Sequence, residues 1–450
     1  MGNSLNRCAI AYQEVVDTGS LNSDYYTLAD FIELDDEDIF KKTVPQFWYI
    51  EDHKRKGYFS YQRPLLSACE NRVIIYDDFT GTEKEMIMMA SNNYLGLISH
   101  PRVVQAGIRA YEKYGSGGSS APLLSGTFDI TRELELKLAE FKGCEDAMVF
   151  STGYSANVGV ISALLRKNDV AIIDKLNHAS IVDGCRLSGA SLRVYRHHDM
   201  GKLEKCLQKS RGQRQGMLVI TDGVFGMDGD ICNLPEIKRI ADRYGARVMV
   251  DDAHATGVIG KQGKGTAEHY GMEGMIDIVM GTFSKSLAGV GGFVASTKEV
   301  VNYIRYYARS YFFSAALPPC ICATVLAALN VIEEEPELLE QLHQNVKYLH
   351  SRFSQMGLEV TQPGTGVISV IIGDEIIVRK MSKQIHEMGL YINPLPFPSV
   401  RKGEARFKFS LMATHTMEDL DRAADIFEAA CQEYGIIKTS PTLVASSSVM

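Results

Sequence analysis

The chain has 450 residues, 45% of them hydrophobic and 23% charged, with a formal net charge of -8. That length exceeds one simple core and predicts two or three globular domains, while the acidic balance argues against a nucleic-acid partner and gives no polybasic signal for an anionic membrane. The nine cysteines have no regular spacing, and their closest pair, Cys320 and Cys322, is C-x-C, so they read as reduced thiols in the cytoplasm and not as a disulfide framework.

The first residues, MGNSLNRCAI, contain no long apolar stretch, so no secretory signal is expected. Gly2 is followed by Asn6 where a myristoylation motif takes Ser or Thr. Residues 1–43 include the acidic run Glu33 to Asp38 and are expected to form a solvated, partly ordered extension; a further N-terminal segment covers 44–98. Between about 99 and 329, helical patterns alternate with short apolar runs. Strands are expected at Ala147–Phe150, Val170–Ile173, Met217–Thr221, Arg247–Val250 and Ile276–Met280, with helices such as Glu133–Phe141 and Leu234–Tyr244 between them. This alternation predicts an α/β domain with a mostly parallel sheet, whose ligands sit at the carboxyl ends of the strands. From 330 to 437 the pattern becomes that of a smaller α+β domain. It has helical segments to about 356, strands near Val367–Ile372 and Ala405–Leu411, and a helix from about 417 to 434. Residues 438–450 lack periodicity and are expected to be a disordered tail. No run reaches the roughly 18 apolar residues that a membrane-spanning helix needs.

Four motifs fall at predicted strand ends. In V-D-D-A-H-A-T-G, an apolar strand runs into Asp251, and His254 follows three residues later. A buried acid there can hold a pyridine nitrogen protonated, which pyridoxal phosphate (PLP) requires of its protein, and His254 can bond the phenolic oxygen. The plainer reading is an acid capping a turn. In G-T-F-S-K-S-L-A-G, Lys285 lies just beyond a strand among small residues, where an amine can reach a cleft and form an imine, and Thr282 and Ser284 can donate to a phosphate. A lone S-K-S says little, but here it follows Asp251 by one helix and one strand. The run F-S-T-G-Y-S-A-N, with Ser151, Gly153 and Tyr154, is a strand leading into a helix whose first amides can cradle a phosphate. His178, in D-K-L-N-H-A-S, can stack on a pyridine face, although a single histidine is more often structural.

In order and spacing, STGY, NHASIVDG, DGVFGMDGD, VDDAHATG and GTFSKS resemble the α-oxoamine synthases, and the resemblance extends from about Phe47 to Tyr434. It is strongest toward the bacterial serine palmitoyltransferase branch at Phe59–Pro64, Ser91–Leu97, Asp222–Leu234, Gly281–Leu287 and Phe409–Thr416. The resemblance implies a fold-type I PLP transferase with a seven-stranded sheet in its large domain. It implies a Schiff base on Lys285, Asp251 on the ring nitrogen, His254 on the phenolic oxygen and His178 on the ring. Ser151, Gly153, Tyr154, Thr282 and Ser284 would hold the cofactor, with Ser314 reaching a partner subunit's phosphate in a homodimer with shared sites. Asn92, Lys408 and Arg406 are then the candidates to hold the substrate, and no metal is expected. The implied activity is that of an acyltransferase joining serine, alanine or glycine to an acyl-CoA or an acyl-carrier protein, with loss of carbon dioxide.

The chain departs from the family pattern at three places. Gly226 stands for a serine, Ala121-Pro122 stands for Ser-Arg, and Lys408 stands for the arginine that clamps the substrate carboxylate. These departures leave amino acid and acyl donor open. The alternatives within the class are 8-amino-7-oxononanoate synthase-type activity, 2-amino-3-ketobutyrate CoA ligase-type activity and an acyl-carrier-dependent natural-product synthase. Outside it stand a PLP aminotransferase or lyase, and a non-catalytic partner subunit. Lys285 argues against the last of these, because such subunits lose the Schiff-base lysine.

Overall fold

The computed structural model describes residues 2–77, 80–212, 216–362 and 364–437, so the expected tail lies outside the described residues. The N-terminal extension differs from expectation. Its helix, Gly2–Thr18, buries Cys8, Ala11 and Val15 at i, i+3 and i+7 against Leu21, Tyr26, Phe31 and Tyr49, the last from the helix Thr43–Lys56. Buried Arg379 reaches the carbonyls of Ser23 and Tyr26, and Asp52 accepts the Ser23 amide at 2.9 Å. The acidic run beyond Phe31 stays largely at the surface, as expected of solvated charge.

Strands β1 (Arg72–Asp77) and β2 (Thr82–Met88) pair antiparallel. The large sheet follows in the chain with β3 (Asp146–Phe150), β4 (Val170–Asp174), β5 (Ser191–Tyr195), β6 (Met217–Asp222), β7 (Arg247–Asp251), β8 (Ile278–Thr282) and β9 (Gly292–Ser296). Its order is β3-β9-β8-β7-β6-β4-β5. The strands β8-β7-β6-β4-β5 run parallel, and β9 runs antiparallel to both of its neighbours. Alternate residues feed two cores. Ala171 and Ile173 pack under the helices Gly153–Leu164, Ala179–Ser188 and Lys298–Tyr307, whereas Val170 and Ile172 pack under Met200–Ser210 and Leu234–Tyr244. With both faces covered, the open edge that remains useful is the row of carboxyl ends.

In the C-terminal region, β10 (Val367–Gly373), β11 (Leu390–Tyr391), β12 (Pro394–Leu395) and β13 (Ala405–Ser410) form the order β10-β13-β12, while β11 joins β2 in parallel. The N-terminal strand pair is thereby hydrogen-bonded to the C-terminal region across the length of the chain. On β13, Ala405, Phe407, Phe409 and Leu411 are fully buried, with Phe353, Phe407, Phe409 and Phe427 clustered ring on ring. The opposite face of β13 carries Arg406, Lys408 and Ser410 toward the large sheet, as a period of two demands. All nine cysteines are unpaired, and among the described residues no helix is long and apolar enough to cross a membrane.

Candidate active site

Parallel strands β6 and β7 end side by side on Asp222 and Asp251, which are partners in register. Asp251 is 4% exposed; its Oδ2 accepts the Asn157 amide at 2.7 Å and its Oδ1 the Ala253 backbone N–H at 2.9 Å. Asn157 also donates to Ser180 Oγ, which sits 2.7 Å from His178 Nδ1. His178 is exposed at the start of its helix, so one hydrogen-bonded chain links an outward imidazole to a buried carboxylate. Asp222 accepts from the Asn177 amide at 3.0 Å. Burial, and then the charge of Asp251, push the Asp222 carboxyl well above the usual carboxylate range.

Lys285 lies three residues past the end of β8, with its Nζ 3.3 Å from Thr282 Oγ1. Burial lowers its pKa against the opposing pull of Asp251 and Asp222, which favours a reactive free amine. Ser284 is exposed beside it. Gly153 opens the helix capped by Thr152, and a Cβ on it would stand 2.2 Å from Thr282 Cγ2, so glycine alone lets the helix start approach the end of β8. Tyr154 is exposed and gives its hydroxyl hydrogen to Asp183. Ser151 lines a small cavity together with Thr127, Ser310 and Ser314 of the same chain.

His254 is held from the other side. Its Nδ1 lies 2.8 Å from the Tyr94 hydroxyl, which donates to Asn92 Oδ1 at 3.1 Å. Burial first, then the charges of Lys285, Lys408 and His178, push His254 well below its usual pKa, so it is a neutral imidazole. Lys408 Nζ and Ser410 Oγ both reach the same Asn92 oxygen at 3.3 Å. Burial and then Lys285 bring the Lys408 amine down to about 8. A Cβ on Gly226 would stand 2.3 Å from His254 Nε2, so His254 fills the space that a side chain at 226 would take.

Arg406 does not join this group. It is buried with its guanidinium committed to Asp228 and Glu404, which corrects its expected place among the substrate contacts. The partner acid lies in a loop far off in sequence, so the strand pattern alone gave no sign of it. Sequence reasoning also missed Tyr94, Asn157 and Asp222. All three stand inside the motifs quoted above, and Asn157 sits one helical turn beyond Gly153, on its face.

The residues fit PLP. The carboxylate of Asp251 is buried with amide donors only, and Oδ1 of Asn157 and of Asn177 are buried without hydrogen-bond partners among the described residues. A lowered amine and a helix start complete the set of contacts that the cofactor needs.

A family model for aminotransferase class I and II matches residues 84–427. The chain is 44% identical over 354 residues to 8-amino-7-oxononanoate synthase 1 of Bacillus velezensis, across 79% of this chain and 90% of that protein. It is 40% identical over 410 residues to the 4-hydroxy-2,2'-bipyrrole-5-methanol synthase PigH of Serratia sp., across 91% of this chain but only 63% of that longer protein. The fold superimposes on serine palmitoyltransferase from S. paucimobilis, solved with PLP and myriocin bound, with a TM-score of 0.84 and 33% identity over 89% of this chain and 100% of that one. The chain belongs to the aminotransferase class I and II family, among its α-oxoamine synthases, and is a PLP-dependent enzyme of the acyltransferase type.

Proposed function

We propose that the chain joins a small amino acid to an acyl thioester. The amino acid's α-carbon bonds to the thioester carbonyl, the thiol leaves, carbon dioxide is lost and an α-amino ketone results. When bound, PLP supplies the electron sink that makes the α-proton removable. Lys285 would hold the cofactor, and its amine is the base placed to take the α-proton. Asp251 would face the ring nitrogen, and His254, its ring fixed by Tyr94, would bond the phenolic oxygen. His178 would cover the ring, and Ser151, Gly153, Tyr154, Thr282 and Ser284 would line the phosphate end. Lys408, positioned through Asn92, takes the substrate carboxylate. The observation that carries the reading is the joint burial of the Lys285 amine, lowered by that burial, and the amide-bonded Asp251 carboxyl at neighbouring strand ends. Cytoplasmic residence and a homodimer with shared sites belong to the same reading.

A second reading concerns the acyl donor. The similarity to the bipyrrole-methanol synthase PigH over 91% of this chain favours a natural-product synthase, for which an acyl-carrier protein is the alternative donor to acyl-CoA. One experiment addresses both. Serine, alanine and glycine are titrated into the holoenzyme while the cofactor band is followed, then acyl-CoAs of graded length and acyl-carrier proteins are added and free thiol and carbon dioxide are measured. We expect equimolar thiol and carbon dioxide with one donor type. Amino-group transfer to give a keto acid, with no thiol released, would refute the proposal.

A further inference from the structure

A second cluster of chemically capable side chains lies outside the cofactor cleft. His197 and His198 follow β5, and both aim Nε2 at one atom, Asp230 Oδ2, at 2.8 and 2.6 Å. His198 has φ 56, in the left-handed region that few side chains enter. The two rings lie side by side with centroids 4.0 Å apart. The other nitrogen of His197, Nδ1, lies 3.0 Å from Asp174 Oδ1 at the end of β4. Asp230 Oδ1 is buried and has no hydrogen-bond partner among the described residues. Two imidazoles crowding one oxygen while its twin stays bare is a poor way to satisfy a carboxylate. It is a good arrangement for three ligands around a cation.

We propose that His197 Nε2, His198 Nε2 and the Asp230 carboxylate bind a divalent transition-metal cation such as Zn²⁺. Two imidazoles and a carboxylate suit that class of ion, and water completes the coordination on the exposed side of His198. Asp174 takes the outer role, since a carboxylate on Nδ1–H fixes the tautomer and leaves Nε2 free for the metal. With metal–ligand bonds of about 2.0–2.1 Å in tetrahedral geometry, the donor atoms would stand about 3.3 Å apart, so the rings must open by roughly half an ångström. His198, on the surface, has room to do so. The cation would tie the ends of β4 and β5 to the loop 223–232, where the Phe225 amide donates to the Asp230 carbonyl at 2.9 Å and the Phe225 ring packs 4.5 Å from His197. The same loop carries Gly226 against His254. The proposal does not depend on which substrate the enzyme takes.

The test uses chelator-treated holoenzyme without amino acid, titrated calorimetrically with ZnCl₂ and spectroscopically with CoCl₂. We expect one cation per chain and visible cobalt bands without thiolate charge transfer. His198→Asn tolerates the left-handed backbone while removing a ligand, and should weaken binding at least about 100-fold. Asp174→Asn should weaken it by about 10–100-fold, as loss of an outer carboxylate does. The cofactor absorbance of each variant reports that it is folded. No stoichiometric binding to the wild type, equal affinity in folded His198→Asn, or a thiolate band showing that cysteines hold the cobalt would each overturn the proposal.

Discussion

Lys408 shows how far one residue's chemistry can be taken. An ammonium makes a point contact where a guanidinium makes a planar two-bond fork. Its amine is brought down to about 8 by burial and by Lys285, so it is mostly charged at neutral pH and loses that charge as the pH rises past 8. Carboxylate binding raises the pKa, so the affinity it contributes is full below about pH 8 and is lost as pH rises through that value. We expect the ratio of dissociation constants for an amino acid and its amino alcohol, which cancels the shared amine titration, to lose its preference for the carboxylate above pH 8. Lys408→Arg should tighten amino-acid binding about tenfold and flatten the pH dependence. A ratio independent of both pH and residue 408 would mean that another group takes the carboxylate. Gly226 carries a second prediction. Gly226→Ala places a methyl where His254 Nε2 now lies, and Tyr94 holds that ring on its other side. The ring must turn away, so kcat should fall at least about tenfold, or ~1.4 kcal/mol, and the cofactor band should shift. The alternation that puts Lys408 on the site face was legible in residues 405–411. The capture of Arg406 by Asp228 was not, because the two are 178 positions apart and only the fold brings them together.

Among the elements, the paired ends of β6 and β7 do most to organise the site. Asp222 and Asp251 are neighbours in register, and two buried carboxylates at that spacing do not both ionise. Asp251 has amide donors on both oxygens, while burial and Asp251 raise the Asp222 carboxyl above the usual carboxylate range. Their amide substitutions should therefore differ. In Asp222→Asn, the new Oδ1 can still accept from Asn177 and the raised carboxyl gives way to a neutral amide of the same shape, so activity should stay within about tenfold of wild type. In Asp251→Asn the ring nitrogen loses its counter-charge, so α-proton exchange in deuterated water should collapse while the fold remains. Equal losses in the two variants would mean that Asp251 is not the ring nitrogen's specific partner. Apolar runs such as Val170–Ile173 revealed the strands buried on both faces. Two strands of the large sheet escaped. In β5 most positions are exposed, so it shows no apolar run, and β9 begins at a glycine pair that resembles a turn. That pair serves packing, since a Cβ on Gly292 would stand 2.7 Å from the Gly153 Cα.

At the scale of the whole molecule, the chain ties its ends together. The extension was misjudged because its acidic run dominates the composition, while the apolar spacing of Cys8, Ala11 and Val15 and the distant anchor Arg379 hold it to the body. One surface remains uncovered, with Tyr303, Tyr306, Tyr307, Phe312 and Phe313 exposed beside Ser314. Such an aromatic band on a single chain is suited to burial against a second copy, and a closed two-fold pair would bring each Ser314 segment to its partner's site. Sedimentation should therefore give a dimer, and mixed variants decide how the sites are built. Lys285→Ala removes the Schiff-base amine, and Ser314→Asp sets a negative charge where a phosphate is expected, so each alone should be inactive. If a site takes Lys285 from one chain and Ser314 from the other, a mixed dimer holds one doubly damaged site and one intact site. Random reassembly of equal amounts then makes half the dimers mixed and restores about a quarter of wild-type activity. If both residues serve the same chain's site, every site in the mixture carries one lesion and nothing is restored. Ser314 shares a cavity with Ser151 of its own chain, so the mixing experiment alone separates a phosphate reached across the dimer from one held within the subunit.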